Sequence, residues 1–231
     1  MLGIVVSLPR ELKSLTRQTI PMGDWRAITN SALVALSGIG AERAYTAASL
    51  LISQGATALL SWGCAAALDE SLNAGCLILP KRIIRATGEI HLVSTEWHRS
   101  LCQASKLPVC TDALVESNSI IRTSAEKRAL AKRTQAAATD MESAAQAWLA
   151  KERGLPFVAI RAIVDTVSTD IPENVLNALD PQGAINVWKL FFGCYLKPGD
   201  WIKTVQLGIQ FNAAQRTLSN IRELVLDSPW S

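Results

Sequence analysis

The chain has 231 residues, of which 49% are hydrophobic and 19% are charged. This length and composition are sufficient to bury a substantial core, which excludes a disordered protein and predicts a single domain over residues 1–231. The formal net charge is +3, and the basic residues are interspersed with acidic ones, so the sequence predicts no nucleic-acid partner.

Short apolar runs alternate with longer segments of helical periodicity, which is typical of an α/β fold with a largely parallel sheet. The first run has no basic segment before it, and it predicts a strand and not a signal peptide. Strands are predicted at residues 2–8, 32–36, 57–62, 76–80 and 156–164. Helices are predicted at residues 41–54, 124–133 and 144–153. The second helix follows a capping box formed by Thr123 and Glu126, and the third ends at Gly154.

The carboxyl-terminal part of the chain has a different character. An unusually aromatic helix is predicted at about residues 182–196, and an amphipathic helix is predicted at 201–226. Lys189 interrupts the apolar stretch, which is far shorter than the roughly 18 residues of a spanning helix, so no membrane span is predicted. The aromatic helix can pack in the core, form a subunit interface or line a groove for a lipid tail. Nearby lysines also allow peripheral contact with an anionic membrane surface.

The five cysteines are widely spaced and odd in number: Cys64, Cys76, Cys102, Cys110 and Cys194. A chain of this size needs no disulfide bonds, so we interpret them as reduced and predict a cytoplasmic protein. The two histidines, His91 and His98, are seven residues apart, and no CxxC pair is present. This spacing does not match a zinc site, and no metal is predicted.

Two acidic residues stand at the boundaries of predicted elements. Glu142 begins a helix, and Asp165 follows the apolar strand at residues 156–164. Cleavage of an N-glycosidic bond requires an acid at the base and anionic groups near the sugar. Asp165 can protonate the base, while Glu142 accepts hydrogen bonds from the ribose and Met141 packs on its ring. The alternatives are that Asp165 caps the next turn and that Glu142 only complements the helix dipole.

Glu11 lies just beyond the first strand, where ligands bind in many parallel sheets. It can activate a water molecule, or it can be an ordinary first-turn glutamate after Pro9. Two small-residue loops also follow strands, and their backbone amides can contact a sugar oxygen or an anion. The candidate substrate-binding residues in these loops are Gly38, Gly40, Gly63, Cys64 and Ala65.

The order of these motifs resembles the nucleoside phosphorylase and nucleosidase superfamily, and especially its methylthioadenosine nucleosidase branch, over nearly the first three quarters of the chain. The resemblance implies a three-layer α/β/α fold with a mixed, largely parallel sheet. It also implies that Glu11 activates water, that Met141 and Glu142 bind ribose, and that Asp165 protonates the purine. Arg161 is expected to support the site by pairing with a neighbouring carboxylate. Related folds complete their sites across a dimer interface, which implies a homodimer or a higher homo-oligomer.

Residues 154–161 and 171–183 are similar to a narrower group, the hopanoid-associated nucleoside phosphorylases. The implied activity is the release of adenine from adenosylhopane, a nucleoside with an apolar 5′ group. Methylthioadenosine, adenosylhomocysteine and futalosine are the alternative substrates, and a non-catalytic nucleoside- or lipid-binding protein is the alternative class. No organic cofactor is expected. Ser61 and Trp62 occupy positions where hexameric phosphorylases carry a phosphate-binding arginine, so the nucleophile is either water or inorganic phosphate.

Overall fold

The computed structural model describes residues 1–178 and 200–227, in which helices pack against a mixed sheet. Eleven strands in these ranges form the sheet: β1 (Leu2–Val6), β2 (Trp25–Ala27), β3 (Ala32–Leu36), β4 (Ala58–Ala67), β5 (Leu77–Ile78), β6 (Arg82–Ile84), β7 (Ile90–Leu92), β8 (Val109–Cys110), β9 (Leu114–Glu116), β10 (Ala138–Asp140) and β11 (Phe157–Asp165). The helices described are α1 (Pro9–Leu15), α2 (Ala41–Ser53), α3 (Thr95–Ala104), α4 (Ser124–Thr134), α5 (Ser143–Arg153), α6 (Glu173–Ala178) and α7 (Asp200–Asp227). The predicted α/β fold with a largely parallel sheet is confirmed.

Strand β4 is the centre of the sheet. Its first half pairs in parallel with β1, which in turn pairs in parallel with β3, and β11 pairs in parallel along most of β4. The last residues of β4 pair with the antiparallel strand β10. The carboxyl ends of four parallel strands therefore meet at one edge of the sheet, which is where ligands bind in open α/β sheets.

Strands β1 and β3 are continuous apolar runs without alternating polar residues, as expected of parallel strands that are covered on both faces. Every residue of both strands is buried. Helices α2 and α5 pack against each other, while α1 and α3 both pack on α7. These two helix groups cover the sheet and bury its apolar strands. None of the helices in the described ranges is long and apolar enough to cross a membrane.

The predicted helices agree with α2, α4, α5 and α7 to within one residue at each end. The capping box is confirmed, because the Thr123 hydroxyl accepts a hydrogen bond from the Glu126 N–H at 3.2 Å. Gly154 adopts the left-handed conformation expected after α5. The aromatic helix predicted at residues 182–196 lies outside the described residues.

Several predicted strand ends were wrong. The first strand stops at Val6 because Pro9 starts α1 soon afterwards. The predicted strand 57–62 continues as β4 to Ala67, since its small residues pair with both β10 and β11. The predicted strand 76–80 is reduced to β5, because Pro80 has no N–H with which to continue a ladder.

Candidate active site

A cavity of about 350 Å³ lies at the edge of the sheet where β1, β4 and β11 end. Six residues predicted from the sequence line it: Glu11, Cys64, Ala65, Met141, Glu142 and Asp165. They come from α1, β4, the turn before α5 and the end of β11. The fold thus brings three carboxyl groups that are distant in the sequence to one cavity.

The three predicted glycines do not line this cavity. The Gly40 N–H donates to the carboxylate of Glu142 at 2.9 Å, and the Gly38 N–H donates to the Ser7 carbonyl at 3.1 Å. Gly63 lies directly beside the carboxylate of Glu11. The Gly38 and Gly40 amides thus donate to protein acceptors. Contact of the three glycines with the substrate stays a prediction.

Glu11 is the third residue of α1, and backbone groups hold its carboxylate at both oxygens. Oε1 accepts a hydrogen bond from the Cys64 N–H at 2.7 Å, and Oε2 accepts one from the Leu8 N–H at 3.0 Å. Burial raises the pKa of Glu11, and the positive charge of Arg161 partly opposes that rise. A buried carboxylate with a raised pKa is suited to accept a proton near neutral pH.

Glu142 is the residue before α5, where its carboxylate faces the cavity and accepts the Gly40 N–H. Burial raises the pKa of Glu142 to about 7, the charge of Asp140 adds to the rise, and Arg161 opposes it. Near neutral pH this side chain therefore changes between a hydrogen-bond donor and an acceptor-only carboxylate. The acceptor form is the one suited to a sugar diol.

A buried ion pair lies beneath the carboxylates. The Arg161 Nε donates to Oδ2 of Asp140 at 2.8 Å, and the Ser143 hydroxyl donates to the same oxygen at 2.5 Å. Arg161 also donates to the Ser61 hydroxyl at 2.6 Å. The expected pairing of Arg161 with a neighbouring carboxylate is present, and its positive charge acts on both Glu11 and Glu142.

A β-bulge shapes the end of β11. Ile163 pairs with Ala65 and Asp165 pairs with Ala66, so two steps along β11 match one step along β4. Consecutive side chains of a regular strand point to opposite faces, yet Val164 and Asp165 both line the cavity. The bulge thus turns the carboxyl group of Asp165 towards the site.

Asp165 does not cap a turn; it forms a buried ion pair with Lys127 of α4. Lys127 Nζ donates to Oδ2 of Asp165 at 2.5 Å, and both side chains are almost completely buried. Burial raises the pKa of Asp165, and Lys127 opposes that rise. Lys127 was not among the predicted site residues, although one signal exists in the sequence: it lies one helical turn before Leu130, on the buried face of α4.

The remainder of the cavity wall is mostly apolar. Residues before and within α6 contribute to it, and so does one side of α7. The apolar residues of this region are Ile171, Val175, Leu176, Leu207 and Phe211. The carboxylates thus occupy one part of the cavity, and an apolar surface extends from them between α6 and α7.

In the described part of the chain, no group of three or more His, Cys, Asp or Glu side chains is arranged to hold a metal ion. Cys64 contacts Glu11, and burial raises the pKa of its thiol well above the ordinary value. The Cys64 side chain therefore stays protonated beside the carboxylates and adds no charge to the site.

Three solved structures illustrate the fold similarity. Helicobacter pylori 5′-methylthioadenosine/S-adenosyl homocysteine nucleosidase has a TM-score of 0.73 at 14% identity, covering 98% of this chain and 97% of that chain. The futalosine hydrolase of Helicobacter pylori has a TM-score of 0.72 at 14% identity, with the same coverage. The Neisseria meningitidis 5′-methylthioadenosine/S-adenosylhomocysteine nucleosidase, in complex with methylthio-immucillin-A, has a TM-score of 0.71 at 16% identity and covers 97% of each chain.

At identities this low, the structural likeness shows that the fold is shared. No curated protein matches the chain in sequence. The sequence model of the phosphorylase superfamily matches residues 2–182, which is most of the chain. The chain therefore belongs to the phosphorylase superfamily.

Proposed function

We propose that the protein hydrolyses the N-glycosidic bond of a 5′-substituted adenosine and releases adenine. The observation that carries this proposal is the convergence of Glu11, Glu142 and Asp165 on one cavity. Membership of the phosphorylase superfamily supports it, as does the structural likeness to nucleosidases and to a futalosine hydrolase.

Each carboxyl group has one task in the proposed reaction. Asp165 donates a proton to N7 of the purine while the C1′–N9 bond breaks and its electron pair leaves with the base. Glu142 accepts hydrogen bonds from the ribose hydroxyls, and its negative charge stabilises the positive charge that develops on the sugar. Glu11 takes a proton from the water molecule that attacks C1′. The proton gained by Glu11 balances the one given up by Asp165, and the products are adenine and the free sugar.

Water is the proposed nucleophile because the charges around the cavity do not suit phosphate. Arg161 is buried and paired with Asp140, so its charge is already compensated. Arg10 lines the cavity, but it is exposed and its guanidinium lies 4.6 Å from the centre of the Phe211 ring. The carboxylate of Glu11 would repel an anion placed next to it.

We further propose that the 5′ group is apolar and that adenosylhopane is the substrate. The apolar wall between α6 and α7 supports this proposal, because an apolar 5′ group would remove that surface from water. A cavity of about 350 Å³ is large enough for the nucleoside head alone, so a polycyclic tail would extend beyond it. Methylthioadenosine is the second candidate, since the small apolar methylthio group also suits this wall.

The proposal is tested by incubating the purified protein with adenosylhopane and with methylthioadenosine, each with and without phosphate. Chromatography with mass spectrometry identifies the base and the sugar product. Adenine with a free sugar is expected in both buffers, with the higher kcat/KM for adenosylhopane. Formation of a sugar 1-phosphate would show that phosphate, and not water, is the nucleophile. Binding without any release of adenine would show a non-catalytic nucleoside-binding protein.

A further inference from the structure

The ammonium group of Lys127 is enclosed completely by protein acceptors. It donates to Oδ2 of Asp165 at 2.5 Å, to the carbonyl oxygen of Thr166 at 2.7 Å and to the carbonyl oxygen of Thr169 at 2.8 Å. An ammonium group has three hydrogens, and these three acceptors use all of them. The side chain of Lys127 is 0% exposed. Burial of a lysine is costly unless its charge is compensated, so this contact with Asp165 is a specific feature of the fold.

Other hydrogen bonds, from the start of α4 and from α7, also hold the loop that follows Asp165. The Ser124 N–H donates to Oδ1 of Asp170 at 2.7 Å, and the Ile171 N–H donates to the carbonyl oxygen of Arg122 at 2.8 Å. From α7, Gln210 donates to the hydroxyl of Thr169 at 3.1 Å. The loop after Asp165 is thus bound to the start of α4, and Lys127 of the same helix holds the Asp165 carboxyl group.

We infer that Lys127 is the positioning residue for the general acid Asp165, and this inference rests on the function proposed above. Because Lys127 occupies Oδ2, the proton of Asp165 is confined to Oδ1, the oxygen left for a ligand in the cavity. When that proton passes to N7 of the purine, Asp165 becomes a carboxylate next to a fixed positive charge. A charge that faces the atom on which negative charge develops stabilises the transition state, so Lys127 assists the departure of adenine.

A merely structural role for Lys127 predicts a different result, and two substrates distinguish the two roles. Methylthioadenosine requires protonation of its leaving base, whereas a 4-nitrophenyl 5-methylthioriboside releases a stable nitrophenolate without an acid. The kcat for methylthioadenosine divided by the kcat for the nitrophenyl riboside, both measured on one preparation, is independent of how much of the protein is folded. Loss of a general acid lowers kcat by about 100-fold or more only where the leaving group needs the proton.

The expected result for Lys127→Met is a fall of about 100-fold in this kcat ratio, with a much smaller change in KM. Lys127→Gln keeps a hydrogen-bond donor without the charge, and it is the second variant if the methionine variant does not fold. Lys127→Arg keeps the positive charge and is expected to retain a higher ratio than either neutral variant, although the larger guanidinium does not reproduce the three lysine hydrogen bonds. Lys132→Met is the matched control, because Lys132 is an exposed lysine of the same helix.

An unchanged kcat ratio in a folded Lys127→Met or Lys127→Gln protein would overturn the inference, because the acid would then work without its partner. An equal loss of activity on both substrates would also overturn it and leave Lys127 a purely structural role. If the unaltered protein cleaves neither substrate, the failure belongs to the proposed function and not to Lys127.

Discussion

A methyl group added to Gly63 would lie 2.7 Å from Oε1 of Glu11, closer than the Cβ carbon of a real residue approaches another atom. The same oxygen accepts the Cys64 N–H, so moving the carboxylate away from an added methyl group would break that hydrogen bond. Glycine at position 63 is therefore a requirement of the candidate base on a different element.

Gly63→Ala is expected to displace the Glu11 carboxylate and to lower kcat by about 10²-fold, the usual range for a misplaced general base. Steady-state kinetics of adenine release measure this effect. If the alanine acts through Glu11, adding it to Glu11→Gln causes little further loss. Independent, multiplying losses in the double variant would contradict this explanation.

Asp165→Asn removes the acidic proton while keeping the shape of the side chain. We expect kcat for adenine release to fall by about 10²- to 10⁴-fold, because the base would have to leave unprotonated. Asp112→Asn changes an exposed aspartate outside the cavity and serves as the control. An Asp165→Asn protein with full activity would remove the general acid from the mechanism.

The raised pKa of Glu142, about 7 in the folded protein against an ordinary 4.5, makes stability depend on pH. The folded state holds this proton over a range where the unfolded chain has lost it, so the contribution of Glu142 is complete below about pH 4.5 and is lost as the pH rises through 7. The loss is at most about 3 kcal/mol. Urea unfolding of the native protein and of Glu142→Gln at pH 5 and pH 8 measures it. The free energy of unfolding of the native protein minus that of Glu142→Gln should be smaller at pH 8 than at pH 5. The same difference at both pH values would disprove the raised pKa of Glu142.

Arg161→Met is expected to reduce the free energy of unfolding by about 3–5 kcal/mol, because Asp140 would be left buried and unpaired. Arg128→Met offers the matched comparison, since Arg128 forms an exposed ion pair with Glu70 and should cost less than about 1 kcal/mol. Chemical denaturation of both variants gives the two values. Equal losses would show that burial of the Arg161 pair has no energetic consequence.

Leu207 belongs to the apolar wall contributed by α7, and Leu207→Trp fills part of the cavity beside that wall. The KM for a nucleoside with a bulky apolar 5′ group should rise about 10-fold or more, roughly the effect of excluding two methylene groups, while the KM for methylthioadenosine changes less. Val205→Trp is the control, because Val205 is on α7 but outside the cavity lining. A uniform rise in KM for both substrates would place the 5′ group elsewhere.

The local sequence predicted the site elements well where a short-range rule applies. The capping box at Thr123, the left-handed Gly154 and the strand leading to Asp165 follow from patterns within a few residues. The same patterns place Glu11 just after β1 and Glu142 just before α5. Local patterns therefore locate three candidate carboxyl groups, although they do not show that these groups face one another.

The partners of these carboxyl groups depend on contacts that no local pattern records. Gly40 and Glu142 are 102 residues apart, and Lys127 and Asp165 are 38 residues apart. Because both pairs form between different elements of the fold, spacing along the chain carries no trace of them. For the same reason, spacing along the chain does not show that the Gly38 N–H donates to Ser7 and the Gly40 N–H to Glu142.

Apolar periodicity and capping act over a few residues, so the α/β class, the order of the main elements and the positions of the acidic residues could be predicted from the chain alone. Which acids meet, which cation holds Asp165 and which wall is apolar became known from the folded protein. Strand order, the β-bulge in β11 and the packing of α4 and α7 arise from long-range burial, and burial also raises the pKa of each of the three carboxyl groups.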